Sequence, residues 1–241
     1  MKKFILIPIF NEEKNISRLF ENLNSNININ EFFFVFSNDG SSDDSELEIK
    51  KYFKHQEFII LNSKTNIGPG SAFNMGFNWI LKQSKDDKDI IITIESDNTS
   101  DINILNEMLE LNNLGYDLVL ASIYAQGGGF EKTSFIRKII SALANLIFRF
   151  LFDIKVLTLS SFYRVYNVDI IRKIKNKHGK VIEEYGFISM LEILLKTIRL
   201  KGKIIEVPMI LKSSNRIGKS KMKILKTTFS YISFLIRNIT K

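Results

Sequence analysis

Two acidic residues flank a serine at Glu95-Ser96-Asp97, directly after the apolar run 90–94. Carboxylates two positions apart, where a strand ends and the chain turns, can both reach one hard cation. Such a cation can also hold the two phosphates of a nucleotide diphosphate as charge develops on it. The chain has no cysteine, and its histidines are His55 and His178. A thiolate site, a disulfide framework and a histidine cluster therefore drop out, leaving Mg²⁺ or Mn²⁺ on carboxylate oxygen as the metal chemistry to expect. An acid-x-acid tripeptide also occurs as a plain loop opening a helix, and Asp101 reads as a cap for the helix that follows.

Two further clusters share this position. Asn38-Asp39-Gly40-Ser41-Ser42-Asp43 follows an apolar run. It reads either as a nucleoside pocket, with Asp39 accepting from base or ribose, or as a turn whose Ser42 or Asp43 caps the next helix. Asn66-Ile67-Gly68-Pro69-Gly70 opens a helical pattern. Glycines there let a phosphate or ribose approach backbone N–H groups. The spacing fits neither a Walker loop nor a dinucleotide fingerprint.

The elements that must carry these clusters are legible from periodicity. Strands are expected at 4–9, 31–37, 58–62, 89–95 and 117–122, and helices at 12–23, 43–53, 71–81 and 101–112. Strands alternating with helices imply an α/β fold with a mostly parallel sheet covered on both faces. Ligands bind such sheets beyond the carboxyl ends of the strands, where all these clusters fall. The run 4–9 is too short for a signal peptide and has no cleavage site, so a first strand is the better reading.

The second half differs. Gly127-Gly128-Gly129 marks a loop or a tight backbone approach, and 133–153 and 224–239 are strongly apolar with interspersed Arg and Lys. They read as helices lying in a membrane interface, or as packing helices. The net charge is +8, and from Arg199 to the end Lys and Arg recur against the single acid Glu206. That asymmetry suggests an anionic partner, a phosphate or an acidic membrane surface, or else a solubility surface. No nucleic-acid motif accompanies it, so nucleic acid is not an expected partner. No run approaches the roughly 20 apolar residues needed to span a bilayer. A cytoplasmic protein, peripheral on the inner membrane, is the expectation.

In order and spacing, Ile7-Pro8-Ile9-Phe10-Asn11-Glu12, the Asn-Asp-Gly-Ser turn, Asn66-x-Gly68-x-Gly70 and the acid-x-acid motif resemble family 2 glycosyltransferases of GT-A fold. Ser160 to Tyr166, Glu184-Tyr185-Gly186-Phe187, Glu206-Val207-Pro208 and Arg216-Ile217-Gly218-Lys219-Ser220-Lys221 look like the dolichyl-phosphate mannosyltransferase, or polyprenyl-phosphate glycosyltransferase, branch.

The resemblance implies a GT-A, Rossmann-like fold in one domain over 1–241. Residues 1–125 would bind the nucleotide-sugar, 126–223 the acceptor, and 224–241 would form an amphipathic helix. It implies a nucleoside pocket from Pro8, Asn11, Glu12 and Asp39, with Gly68 and Ser96 on the donor side. Glu95 and Asp97 would hold the metal, with Thr99 where the family often has a third oxygen ligand. Arg137 and Arg164 would face the acceptor phosphate or its surroundings. Arg216, Lys219 and Ser220 would belong to a loop closing over the diphosphate, where guanidinium groups suit phosphate. The implied reaction is inverting transfer of a hexose from a GDP- or UDP-sugar to a polyprenyl phosphate. The alternative acceptor is a glycan hydroxyl, with Glu183 or Glu184 as base. A weakly active nucleotide-binding scaffold is a third reading. Three departures bear on this: Glu95 replaces the usual first Asp, Ile123 an expected Arg, and Thr158 an expected Asp.

Overall fold

The computed structural model describes residues 1–132, 135–218 and 224–239; the side chains of 135–138, 140, 144, 224–226, 228, 238 and 239 are outside that description. The strands are β1 (Lys3–Ile9), β2 (Phe33–Asn38), β3 (Glu57–Asn62), β4 (Ile90–Thr93), β5 (Leu118–Ser122), β6 (Gly129–Phe130), β7 (Arg164–Asn167), β8 (Ile204–Pro208) and β9 (Ile210–Leu211). The helices are α1 (Glu13–Asn26), α2 (Ser45–Tyr52), α3 (Pro69–Gln83), α4 (Leu105–Asn113), α5 (Phe135–Leu151), α6 (Val168–His178), α7 (Ser189–Arg199) and α8 (Ile224–Ile239).

Seven strands form one sheet in the order β3-β2-β1-β4-β7-β5-β8, and β6 pairs with β9 separately. All pairings in the large sheet are parallel except those of β7, which runs antiparallel to both β4 and β5. This is the GT-A architecture, a mostly parallel sheet flanked by helices. Strand side chains alternate between faces, and both faces are buried. Phe4 and Leu6 of β1, Val35 of β2 and Ile91 of β4 face a core shared with α3, α6 and α7. Ile5, Ile7 and Ile9, Phe34 and Phe36, and Ile90 and Ile92 face the opposite core, shared with α1, α2 and α4. That two-sided burial explains why these strands read as unbroken apolar runs.

Small shifts separate expectation from structure. α3 begins two residues early because Pro69 is suited to the first helical turn. The helix expected from 101 opens as a 3₁₀ turn, Ile102–Ile104, whose Asn103 N–H is accepted by Asp101. Residues 224–239 are helical as expected, and 240–241 lie outside the described residues. No helix among the described residues is long and apolar enough to cross a membrane.

Candidate active site

Strand order reverses between β1 and β4, since β1 runs on to β2 and β3 on one side and β4 lies on the other. The crevice beyond the carboxyl ends of β1, β2 and β4 is thus the topological switch point, where open α/β sheets bind ligands. Pro8 lies beyond the last β4 partner of β1, Leu6, where an absent amide donor costs the ladder little. Asn11, at φ 51°, donates its N–H to Ser41 Oγ at 2.9 Å and accepts from the Ser42 N–H at 2.8 Å. The Glu12 N–H donates to Ser45 Oγ at 2.7 Å. These bonds lace the loop after β1 to the loop after β2, so Pro8, Asn11, Glu12 and Asp39 do gather at neighbouring strand ends.

Asp39 organises the glycine loop. Its carboxylate accepts from Asn66 Nδ2 at 2.8 Å, the Ile67 N–H at 3.1 Å and the Gly68 N–H at 2.7 Å. Burial pushes its pKa up, against the pull of the two backbone donors. Each carboxylate oxygen has two lone-pair sites, so capacity remains for a ligand. Gly68 sits at φ 136°, and a Cβ there would meet Tyr185 O at 2.4 Å. A Cβ on Gly70 would meet Glu184 O at 2.0 Å, and the Gly70 N–H donates to Tyr185 O at 2.8 Å. The glycines therefore admit the 184–186 backbone, a protein neighbour, at van der Waals range.

The acid-x-acid motif hangs from the end of β4. Glu95 accepts a short hydrogen bond from Ser100 Oγ, and Ser96 is buried between the two acids. Asp97 Oδ1 accepts from the Thr99 hydroxyl at 2.7 Å and the Thr99 N–H at 3.1 Å. Asp97 Oδ2 accepts from Arg216 Nε at 2.6 Å, and Nη2 of the same guanidinium closes an ion pair with it. Asp97 and Arg216, 119 residues apart, are thus in direct contact. Thr99, expected as a third oxygen ligand, spends its hydroxyl proton steadying Asp97. Among the described residues no group of three or more His, Asp or Glu gathers that could hold a metal.

Burial, with Asp97 as the second cause, pushes the Glu95 pKa up to about 7. The folded value lies above the unfolded one of 4.5. The stabilisation from protonated Glu95 is therefore full below about pH 4.5 and lost as pH rises through about 7. In metal-free protein, Glu95→Gln is expected to gain about 1–3 kcal/mol on wild type between pH 5 and pH 8. Urea unfolding in chelator at both pH values measures this, and an unchanging difference would contradict it.

Arg164 requires a correction. It is fully buried, and its guanidinium donates to Ser161 O, Leu159 O and Met190 O at 2.7–2.8 Å and lies 3.4 Å from the Tyr166 hydroxyl. It ties the turn before β7 to the start of α7 and offers no surface to an acceptor phosphate. A basic residue on an inserted strand is buried because both faces of that strand are covered. Arg137 lies in α5 with its side chain outside the described residues, and Lys219 and Ser220 also lie outside them. Thr158 is buried and shares a 2.7 Å hydrogen bond with Ser122. Glu206, the lone acid of the basic stretch, accepts from the Leu157 and Thr158 N–H groups.

Three features escaped sequence reasoning. Ser100 reaches Glu95. The buried pair Glu192–Lys196 (2.7 Å) holds the 181–184 segment: Glu192 accepts from the Glu183 and Glu184 N–H groups and Lys196 donates to Val181 O. Asn15 bonds to Ile217. Its signal was a polar residue in the apolar stripe of α1, in line with Leu19 and Leu23.

The glycosyl transferase family 2 profile matches residues 4–175. The chain belongs to that family. This glycosyltransferase is 22% identical to a polyprenol monophosphomannose synthase of Mycolicibacterium smegmatis, over 92% of this chain and 81% of that protein. It is 25% identical to an undecaprenyl-phosphate mannosyltransferase of Micrococcus luteus, over 92% and 88%. It is 26% identical to a dolichol-phosphate mannosyltransferase of Pyrococcus furiosus, over 98% of this chain and 63% of that one. Its fold resembles glucosyl-3-phosphoglycerate synthase from Mycobacterium tuberculosis, solved with Mn²⁺, UDP-glucose and phosphoglyceric acid. The TM-score is 0.70 at 14% identity, covering 99% of this chain and 80% of that one.

Proposed function

We propose that this glycosyltransferase moves a hexose from a GDP- or UDP-linked sugar to a polyprenyl phosphate, with inversion, at the cytoplasmic face of a membrane. The observation that carries the reading is the meeting of Glu95, Asp97 and Arg216 at the switch point, beside the Asp39 loop. Glu95 and Asp97 follow the same strand, and Asp97 is the second cause, after burial, of the raised Glu95 pKa, so each carboxylate lies in the other's field. Their hard oxygens fit Mg²⁺ or Mn²⁺. Glu95 and Asp97 would hold the ion, which when bound supplies positive charge to the leaving diphosphate.

The chain's own residues account for the rest. Asp39, with Pro8, Asn11 and Glu12 around it, would receive the nucleoside. Arg216 would exchange Asp97 for diphosphate oxygens, a planar fork meeting a phosphate. Lys219 and Ser220 would add to that loop, and Arg137 to the acceptor side. An acceptor phosphate with a second pKa near 6 is largely ionised at neutral pH and needs no base. Alignment and charge neutralisation then supply the catalysis.

The lipid acceptor is supported by outward-facing apolar residues on two helices. Leu143, Leu146, Ile147 and Phe150 of α5 and Phe229, Ile232 and Ile236 of α8 are exposed. Contiguous exposed apolar surface marks an interaction site, and helices of this kind lie in the membrane interface. The names of the mannosyltransferase relatives agree with a polyprenyl-phosphate acceptor.

A glycan hydroxyl is the second reading. Burial pushes the Glu184 pKa up, as a base would require, although Arg237 donates to its carboxylate at 2.8 Å. Incubation with labelled nucleotide-sugars and Mg²⁺ or Mn²⁺, with polyprenyl phosphate and a glycan acceptor in separate arms, separates the readings. A lipid-linked product formed equally by Glu184→Gln is expected. Product only on a glycan, abolished by Glu184→Gln, would favour the second reading, and no product with any donor would sink both.

A further inference from the structure

Asn15 is a buried side chain in the first turn of α1, and every polar atom of its amide is engaged. Its Nδ2 donates to Glu12 Oε2 at 2.6 Å and to Ile217 O at 3.2 Å. Its Oδ1 accepts from the Ile217 N–H at 2.9 Å. A carboxamide is a peptide group in miniature, and here it pairs with both backbone groups of one residue 202 positions away. The orientation is fixed by chemistry: a flipped amide would turn Oδ1 toward the Glu12 carboxylate and an N–H toward the Ile217 N–H.

Ile217 directly follows Arg216 and is followed by Gly218 at φ 95°. The Asn15 pairing thus anchors the backbone one residue from the guanidinium that sits on Asp97. A side chain long enough to exchange one oxygen partner for another needs a fixed root to return to the same place. Asp97 alone would give the loop one charged contact, which a phosphate or cation competing for either partner would weaken. Asn15 gives it two bonds that such competition does not touch.

We propose that Asn15 is a positioning residue for Arg216, holding the Ile217 peptide so that the guanidinium remains over the acid-x-acid motif whether or not Asp97 is its partner. The consequence for transfer rests on the function proposed above; the docking of the 216–218 segment does not.

Trypsin tests the docking directly, because it cuts the Arg216–Ile217 bond, whose N–H Asn15 holds. Asn15→Ala is expected to speed cleavage at that bond at least tenfold, read by mass spectrometry, with cleavage after Arg18 and Lys50 unchanged. Asn15→Asp, nearly isosteric, should do the same, since it loses the donor and sets a carboxylate against Glu12, and it serves if the alanine variant does not fold. Unchanged cleavage after Arg216, or faster cleavage at all sites alike, would overturn the proposal. Kinetics test the coupling. Asn15→Ala should lower kcat about 10- to 100-fold but cost less than about threefold in an Arg216→Ala background, because residues acting as a unit are not additive. Additive losses would overturn the coupling to Arg216. No transfer by wild type would instead overturn the function, while the trypsin result would still decide whether Asn15 docks the segment.

Discussion

Asp97→Ala is expected to lower sugar transfer by about a hundred- to a thousandfold, the loss that follows removal of one preorganised charge partner at a reacting centre. Three groups converge on this carboxylate: the Thr99 hydroxyl and N–H on one oxygen, and the Arg216 guanidinium on the other. Its removal takes away an oxygen for the expected cation and also frees Arg216. The two effects are separable. Asp97→Asn leaves an oxygen that can accept from Arg216 but no charge, so it should keep the segment docked against trypsin and still lose transfer. Stabilisation of wild type by Mn²⁺ with a nucleoside diphosphate, followed as Tm, should vanish in both variants. Transfer within tenfold of wild type in Asp97→Ala would remove this residue from the centre of the reaction.

The largest stability effect is expected away from the acidic motif, at Glu192 and Lys196. Both are buried, with their charged atoms 2.7 Å apart. Truncating one partner of a buried ion pair costs about 3–5 kcal/mol, and here Lys196 would keep only the more exposed Glu183 carboxylate, 3.3 Å away. Glu192→Leu should reach that range, because it also orphans the Glu183 and Glu184 N–H groups. The double variant Glu192→Leu/Lys196→Met removes both charges and should recover part of the loss. Urea unfolding measures all three proteins. A cost below about 1 kcal/mol for the single variant would mean that water or another group satisfies Lys196. The consequence should reach the 66–70 loop, because the 184–186 backbone adjoining this pair is what Gly68 and Gly70 pack against.

In the function proposed above, the exposed apolar residues of α5 and α8 bear on the acceptor and the strand-end cluster on the donor. Two of the three departures, Ile123 and Thr158, fall where the resemblance placed the surroundings of the acceptor. Thr158 shares a hydroxyl hydrogen bond with Ser122 and donates its backbone N–H to Glu206, so a neutral hydroxyl stands where the family has an acid. Glu95 is different: its extra methylene carries the carboxylate to Ser100, and it is the acid whose pKa burial raises most clearly.

The sequence by itself determined the alternation of strands and helices, the polar strand ends and the helical character of 224–239. These follow from periodicity and residue chemistry, which act over a few residues and survive being read along a line. Only the tertiary structure decided which way a side chain points and what it meets. Arg164 lies in a motif that suggested a phosphate ligand, yet β7 enters the sheet between β4 and β5, both of its faces are covered, and the guanidinium is spent on three carbonyls. Asn15 was an ordinary polar residue until a peptide 202 positions away came to rest on it. The resemblance placed Arg216 in a loop over the diphosphate, but that its guanidinium meets Asp97 is a contact between residues 119 apart. Partners so distant in sequence are chosen by chain topology, and local pattern has no term for that.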